Sequence, residues 1–373
     1  MTHKIRKQSL REDPWEAYGD IHLHGKQVLS NIEVTTTHLC NMRCEHCAVG
    51  YGLLTKDPDP LPLDLVISRL DEVTHLRAFS ITGGEPMMNV RQVKDYVIPL
   101  LKYAKERGAK TQINSNLTMP LERYDWILPY LDVLHISHNY GSRDDFADIG
   151  FAVMDRKPSI AKRYDTFDKM VENAKALSSR GLMISAETMI NKRTLPHLEK
   201  IHGQIVAMGC ARHEVHPMYP TSFAEHLPAA DLAEIRTGID RLLDHRNPDM
   251  WMLFGTLPFY ACSQDDDDLT LLKRLNNTEN VTVRNDPDGR SRLNINLFDG
   301  NILVTDFAAE GKVGNILNTS LEEAYDKWRK TDLAKSLDCH CPAVSCLGPN
   351  LLVKNAYYPE VDFKKRQNQI TYE

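Results

Sequence analysis

The sequence lacks a long hydrophobic run. Its 373 residues contain no stretch that approaches the roughly 20 apolar residues needed to span a membrane, and the mean hydropathy is −0.41. Residues 1–20 mix lysine, arginine, aspartate and glutamate, without the apolar segment of a secretory leader. We therefore expect a cytoplasmic protein with no membrane partner.

The chain also lacks an excess of basic residues. It carries 45 Lys and Arg against 51 Asp and Glu, which gives a formal net charge of −6. Proteins that hold a phosphate backbone usually do so with clustered lysine and arginine. This balance argues against nucleic acid as the main partner and favours a small molecule or a peptide.

Cysteine is scarce, with eight in the chain, yet three of them lie close together. Cys40, Cys44 and Cys47 follow residues 32–38, whose valine and threonine content predicts a strand. In a reducing compartment, clustered cysteines are more often metal or redox ligands than disulfides. Three thiolates could serve zinc, which usually takes four ligands in a structural site, or a [4Fe–4S] cluster that keeps one iron free for a ligand.

Strand and helix patterns alternate as far as residue 220. The six predicted strands are 32–38, 78–82, 110–115, 133–137, 182–190 and 213–216. Such alternation indicates parallel strands joined by right-handed crossovers, in a closed or nearly closed sheet. Beyond Pro220, residues 250–262 and the acidic run 265–268 interrupt the alternation, and we expect a second, smaller domain there.

A glycine-rich turn, Gly83-Gly84-Glu85-Pro86, follows the second predicted strand. Because the carboxyl ends of parallel strands share one edge of the sheet, we expect this turn beside the cysteine loop. Its glycines would let a ligand approach the backbone, whose carbonyls can accept from an ammonium group. The alternative interpretation is an ordinary turn between a strand and a helix.

Together, the two motifs resemble the radical S-adenosylmethionine (radical SAM) superfamily, which combines a C-x3-C-x-Φ-C loop after strand one with a GGEP turn after strand two. The resemblance implies an α/β fold in which residues 31–220 form a partial (β/α)6 TIM-like barrel, the radical SAM core. Residues 1–30 would form an N-terminal arm that packs against it.

The resemblance also implies the cofactors. Cys40, Cys44 and Cys47 would hold a [4Fe–4S] cluster, and the GGEP turn would bind the methionine ammonium group of S-adenosylmethionine. His46 occupies the family's aromatic position before the third cysteine, so its ring could pack near the adenine.

Three further residues are candidates for the same site. Asn116 ends a segment that resembles the family's Thr-Asn-Gly, and Ser137 resembles its strand-four serine near the ribose or carboxylate. A turn asparagine and a buried, backbone-bonded serine are the alternatives. Glu187 would point into the barrel toward a cationic or polar ligand, unless it is a paired structural acid. The predicted cofactor-binding residues are His46, Gly83, Gly84, Glu85, Asn116, Ser137 and Glu187.

Two histidines and one cysteine are predicted to have structural roles. His213 and His216 flank the sixth strand, and ordinary hydrogen-bonded histidines are the favoured interpretation. Cys210 follows a helix end and is expected to be a small buried thiol.

A second group of cysteines lies near the end of the chain, at Cys339, Cys341 and Cys346. Setting aside the first three cysteines and Cys210 leaves Cys262 as the candidate fourth thiolate. Four thiolates would close a second site, either [4Fe–4S] or tetrahedral zinc.

This C-terminal region resembles the SPASM or twitch extensions of the superfamily. The run 298–303 and the Gly-Asn-Ile-Leu turn at 314–317 resemble the hairpin and turn of those extensions, and the C-x-C-x4-C ending resembles the YfkAB-like radical SAM/CxCxxxxC-motif family. Residues 221–373 would then form a small α+β domain with an auxiliary cluster.

The implied reaction is reductive cleavage of S-adenosylmethionine to a 5′-deoxyadenosyl radical that abstracts hydrogen from an unidentified substrate. The SPASM-like tail favours a peptide or protein substrate, and a flavodoxin or ferredoxin would donate the electron. A non-catalytic iron–sulfur carrier or scaffold is the alternative, although the GGEP turn argues against it. A further alternative is the same enzyme with zinc at its C-terminal site.

Overall fold

The computed structural model describes residues 13–221, 224–261, 263–305, 312–336 and 351–361. The strands in these ranges are β1 (Asn31–Thr35), β2 (Ala78–Thr82), β3 (Lys110–Asn114), β4 (Val133–Ser137), β5 (Met183–Ile190), β6 (Arg212–Pro217), β7 (Trp251–Gly255), β8 (Val281–Arg284), β9 (Arg292–Asn296), β10 (Asn301–Leu303) and β11 (Lys312–Asn315). They form one sheet in the order β11-β10-β9-β1-β2-β3-β4-β5-β6-β7-β8.

α-Helices connect most of these strands. Those in the described ranges are α1 (Ala17–His24), α2 (Leu63–Asp71), α3 (Val90–Gln92), α4 (Ile98–Glu106), α5 (Leu121–Asp125), α6 (Arg143–Ile149), α7 (Ile160–Ser179), α8 (Leu198–Ala207), α9 (Leu232–His245), α10 (Asp266–Asn277), α11 (Leu321–Arg329), α12 (Asp332–Ser336) and α13 (Leu351–Tyr357). In this part of the chain, none of them is both long and apolar enough to cross a bilayer.

The sheet is parallel from β9 through β1 to β8, and the predicted α/β partial barrel is confirmed. β10 and β11 extend the β9 edge in antiparallel orientation. The turn between β9 and β10 is the predicted Asp299-Gly300 hairpin, in which Gly300 adopts a φ of +72°. That left-handed conformation favours glycine.

The alternation of strands and helices does not stop at Pro220, so the predicted interruption there is wrong. β7 and β8 continue the parallel sheet after β6. The acidic run was misleading because it begins a helix: Asp265 accepts a hydrogen bond from the Asp267 N–H at 2.9 Å and caps α10. Acidic side chains are favoured at this end of a helix by its dipole.

β9 also belongs to the barrel, although it lies far along the chain. It pairs in parallel with β1, with Asn31 opposite Arg292 and Thr35 opposite Asn296. The side chains of Asn31 and Ser291 are hydrogen-bonded at 3.0 Å. Residues C-terminal to 220 therefore form part of the barrel wall.

The two faces of the central strands differ in polarity. Ile32, Val34, Phe79, Ile81, Leu134 and Ile136 pack in the hydrophobic core that surrounds the sheet. The alternate positions line an interior cavity with Glu33, Gln112, Asn114, His135, Ser137, Glu187 and Glu214. Because successive strand residues point to opposite faces, this alternation creates a barrel with an apolar outside and a polar inside.

The segment before β1 covers the amino end of the barrel. Trp15 is buried against Ala78, Val133 and Met183, which begin β2, β4 and β5. This end is therefore covered by protein, and the carboxyl ends of the strands remain to form the site.

Candidate active site

A cavity of about 270 Å³ lies inside the barrel. The cysteine loop after β1 and the turn after β2 line one side of it. The ends of β5, β6 and β8 line the other side. Residues far apart in sequence therefore meet at the edge where parallel α/β sheets usually bind ligands.

The cysteine loop is held by its neighbours at both ends. The Asp57 carboxylate accepts from Thr37 Oγ1 and from the His38 N–H, each at 2.7 Å. Arg43 Nη1 donates to the Cys40 carbonyl at 2.8 Å. These charge-assisted hydrogen bonds fix the loop backbone before any ligand is bound.

The three thiols suit a cluster. Cys40, Cys44 and Cys47 are free cysteines that line the cavity, and burial raises the pKa of Cys40 to about 12. Thiolates in such surroundings need a cationic partner, and a bound metal deprotonates its thiol ligands. In the described ranges, no three His, Cys, Asp or Glu side chains are placed to hold a single metal ion. A cluster binds each thiolate through a different iron, so its ligands need not converge as closely.

The glycine turn packs directly on this loop. Gly84 N–H donates to the Thr37 carbonyl at 2.8 Å, and Glu85 N–H donates to the Leu39 carbonyl at 2.6 Å. A Cβ atom on Gly83 would lie 2.3 Å from the Thr37 oxygen, and one on Gly84 would lie 2.1 Å from the Leu39 oxygen. The glycines thus allow two backbones to meet, and both residues also line the cavity.

Glu85 lies behind the cavity wall. Its buried carboxylate accepts from the Asn116 N–H at 2.7 Å, from Ser115 Oγ at 2.9 Å and from the Met87 N–H at 3.0 Å. Burial raises its pKa to about 7. The side chain ties the glycine turn to the end of β3, so the contact predicted between Glu85 and the cofactor would have to come from its backbone.

The other predicted residues on this side reach the cavity. Asn116 Nδ2 donates to Asn41 Oδ1 at 2.8 Å and lies 3.8 Å from Cys40 Sγ. His46 Nε2 accepts from Asn139 Nδ2 at 3.0 Å. Ser137 is exposed where β4 ends, which contradicts the alternative of a buried serine. These side chains surround the cysteine loop with hydrogen-bonding groups.

Glu187 also lines the cavity and is paired. Its Oε2 accepts from His135 Nε2 at 3.1 Å, and His135 Nδ1 lies 3.7 Å from Glu214 Oε1. Burial opposes ionisation of Glu187, but the neighbouring His216 and His135 outweigh it and hold the pKa of this carboxyl below its usual value. Glu187 is thus an ionised acid on the cavity wall.

A buried charge network supports this wall, and sequence reasoning missed most of it. Glu214 forms an ion pair with Arg212, accepts from Arg284 Nη2 at 2.7 Å and from His216 Nε2 at 3.2 Å. Burial by itself would raise the pKa of Glu214, but the charges of Arg212 and Arg284 hold it well below its usual range. The available signal was the charge at alternate positions of β6, where a barrel strand would usually carry apolar residues.

Both histidines are hydrogen-bonded and Cys210 is buried, as predicted. His216 Nδ1 accepts from Thr256 Oγ1 at 3.2 Å, and His213 Nε2 donates to Thr188 Oγ1 at 2.9 Å. Cys210 is a buried, free thiol. His216 also lines the cavity, which the sequence did not indicate.

The second predicted metal site cannot be compared with this geometry. Its four cysteines, Cys262, Cys339, Cys341 and Cys346, lie outside the described residues.

Known proteins resemble the chain at three levels. The family model for the radical SAM superfamily matches residues 34–201, and a model described as a YfkB-like domain matches residues 218–368. YfkA of Bacillus subtilis (strain 168) is 63% identical over 365 residues, which are 98% of each chain.

Two solved structures share the fold. SuiB of Streptococcus suis, bound to the precursor peptide SuiA, has a TM-score of 0.59 at 16% identity, covering 90% of this chain and 73% of SuiB. The structure of anSMEcpe with bound AdoMet and the Cp18Cys peptide has a TM-score of 0.53 at 13% identity, covering 81% of each chain. Together with the motifs and the relative described above, these findings show that the chain belongs to the radical SAM superfamily, in the family of YfkA, and is an enzyme whose family implies a [4Fe–4S] cluster and S-adenosylmethionine.

Proposed function

We propose that this enzyme removes a hydrogen atom from a side chain of a peptide or protein that enters the barrel cavity. The observation that carries the proposal is the convergence of the cysteine loop, the glycine turn and a polar wall on that one cavity. SuiB, which shares the fold, was crystallised with a precursor peptide. A peptide substrate for this chain is proposed by analogy with that protein.

The residues of the first side would hold the cofactors. Cys40, Cys44 and Cys47 would bind the cluster, and the backbone of the glycine turn would accept from the methionine ammonium group. Ser137 would bond the ribose or carboxylate, and His46 would lie near the adenine. Once bound, these cofactors supply the 5′-deoxyadenosyl radical that abstracts the hydrogen atom. The barrel wall would keep water away from the reacting atoms.

The size of the cavity limits what can enter. Its volume of about 270 Å³ is close to the lower end of ligand pockets, which are roughly 300–1,000 Å³. Because the cluster and S-adenosylmethionine would share this space with the substrate, a folded segment would not fit beside them. The rest of a peptide would therefore remain outside the barrel.

The direct test is anaerobic reconstitution with iron and sulfide, followed by dithionite and S-adenosylmethionine. We expect 5′-deoxyadenosine from the native chain and none above background from Cys44→Ala. Cys210→Ala is the matched control, because this thiol is buried away from the cavity and its variant should retain the product. Equal 5′-deoxyadenosine from native protein and Cys44→Ala would refute the proposal.

A second [4Fe–4S] cluster on Cys262, Cys339, Cys341 and Cys346 belongs to the same proposal, with zinc as its alternative. Residues 221–373 would supply this SPASM or twitch-like site. Replacing Cys40, Cys44 and Cys47 together by alanine should leave about four irons per chain if the second cluster exists. Zinc with almost no iron would support the alternative.

The electron would come from a low-potential donor such as a flavodoxin or ferredoxin in the cytoplasm. A reducing compartment is consistent with the free cysteines at the site. Replacing dithionite by reduced flavodoxin in the same assay should sustain 5′-deoxyadenosine formation. Failure with both flavodoxin and ferredoxin would contradict this part.

A further inference from the structure

The cavity wall formed by β4, β5, β6, β8 and β9 is rich in charged groups. Residues that contribute to it are His135, Glu187, Glu214, Arg284 and Arg292. Barrel interiors that serve only as a core are filled mainly by branched apolar side chains. Polar groups that a barrel encloses in this way need partners, which the chain or a ligand must provide.

The cations of this wall already have carboxylate partners. Arg284 Nη2 donates to Glu214 at 2.7 Å, and Arg292 Nε donates to Asp288 at 2.6 Å. The Glu214 side chain is only 1% exposed and also accepts from Ser185 Oγ at 2.7 Å. Neither arginine therefore offers a full positive charge to an anionic ligand.

Glu187 is more exposed than Glu214 and has fewer hydrogen-bond partners. Its side chain is 16% exposed, and its hydrogen bond from His135 uses only Oε2. Across the described ranges, no lysine or arginine forms an ion pair with it. Glu187 thus keeps an acceptor oxygen and a negative charge on the cavity surface.

His135 provides a second, independent observation. Its side chain is nine-tenths buried and lines the cavity. Its Nδ1 has no hydrogen-bond partner in the described part of the chain, and Glu214 Oε1 lies 3.7 Å from it. A buried polar atom without a hydrogen bond is costly, so a polar ligand beside Glu187 would complete this part of the wall.

We propose that Glu187, positioned by His135, binds a cationic hydrogen-bond donor of the substrate, a primary amine or a guanidinium group. A lysine or arginine side chain of a peptide carries such a group at the end of a slender apolar stem, which suits the small cavity. The inference rests on the proposed function for the substrate, but the binding of the amine can be measured without turnover.

The experiment uses the reconstituted enzyme and two isosteric probes, n-butylamine and n-butanol, whose binding is followed by ligand-observed NMR. We expect n-butylamine to bind at least about tenfold more tightly than n-butanol, since both can donate to Glu187 but only the amine brings a positive charge to the carboxylate. Glu187→Gln should remove this preference. Glu187→Asp, which keeps the charge, should retain part of it. Glu106→Gln, at an exposed position of α4, is the matched control and should behave as the native enzyme.

The positioning role of His135 has its own readout. His135→Gln can still donate to Glu187 from its amide and should retain most of the amine preference, whereas His135→Leu should lose most of it. Equal loss in both variants would overturn the positioning role.

Three outcomes would overturn the assignment of Glu187: no amine preference in the native enzyme, an unchanged preference in Glu187→Gln, or weaker binding of S-adenosylmethionine to this variant with amine binding intact. The last outcome would place Glu187 against the cofactor. An enzyme that prefers the amine but never forms 5′-deoxyadenosine would support this assignment and refute the proposed function.

Discussion

Replacing Gly84 by alanine tests how the glycine turn positions the cluster ligands. The added Cβ would lie 2.1 Å from the Leu39 oxygen and 3.2 Å from Cys40 Cβ, whereas ordinary contacts begin at 3.4 Å. The turn and the cysteine loop would have to separate by about 1.3 Å. That movement would stretch the hydrogen bonds that join Gly84 to Thr37 and Glu85 to Leu39.

The expected cost has a structural and a catalytic component. Forcing an extra methyl group into a packed site typically costs about 1–3 kcal/mol in the free energy of unfolding. A displacement of about 1 Å in a catalytic arrangement can lower the rate about 100-fold. We therefore expect Gly84→Ala to lose one to two orders of magnitude in 5′-deoxyadenosine formation, measured per reconstituted cluster so that iron loss is counted separately.

Gly203→Ala is the matched control. Gly203 lies in α8 and has no atom within 4 Å of an added Cβ. Alanine in a helix is favoured over glycine by about 1 kcal/mol, so this variant should be slightly more stable and equally active. A Gly84→Ala enzyme with native iron content, stability and rate would show that the close approach of the two backbones does not position the cluster ligands.

Three further predictions concern stability. Burial lowers the pKa of His202 from 6.5 to about 4, so only the unfolded chain gains a proton between these values. Through this residue, the free energy of unfolding should thus fall by on the order of 2–3 kcal/mol from pH 6.5 to 4. In urea titrations, the free energies of unfolding of native protein and His202→Gln should therefore converge as pH falls. A constant difference between the two proteins would contradict this. Asp57→Ala should lower stability by about 1–3 kcal/mol and reduce iron incorporation, whereas the exposed Asp59→Ala should do neither. Asp265→Ala should cost about 1 kcal/mol by removing the cap of α10, with no change in iron per chain; unchanged stability would argue against the cap.

The effect of His202 on the pH dependence of stability has to be measured as a difference between native protein and variant, because a second buried group has the opposite effect. The raised pKa of Glu85, about 7, means that the folded chain binds more protons than the unfolded chain between pH 4.5 and 7. Stability from Glu85 is therefore lost as pH rises through that range, whereas stability from His202 is gained. Comparing the native protein with His202→Gln at each pH separates the two effects.

The sequence by itself determined the local features of the catalytic side. The spacing of Cys40, Cys44 and Cys47 and the Gly83-Gly84 turn are contiguous motifs, and each follows a strand that its own residues specify. Parallel strands place their carboxyl ends on one edge, so the meeting of the two motifs also followed from the order of elements.

Only the tertiary structure decided the far wall of the cavity. Glu187 was expected to face the interior, but Glu214 and Arg284, which pair there, lie 70 positions apart in the sequence, and no local pattern encodes that their side chains meet. β9 and β1 also pair although most of the chain lies between them, and only folding brings these two strands together. The tertiary structure also decided why the turn needs its two glycines. The atom nearest to each added Cβ belongs to the cysteine loop, and only the folded barrel places that loop against the turn.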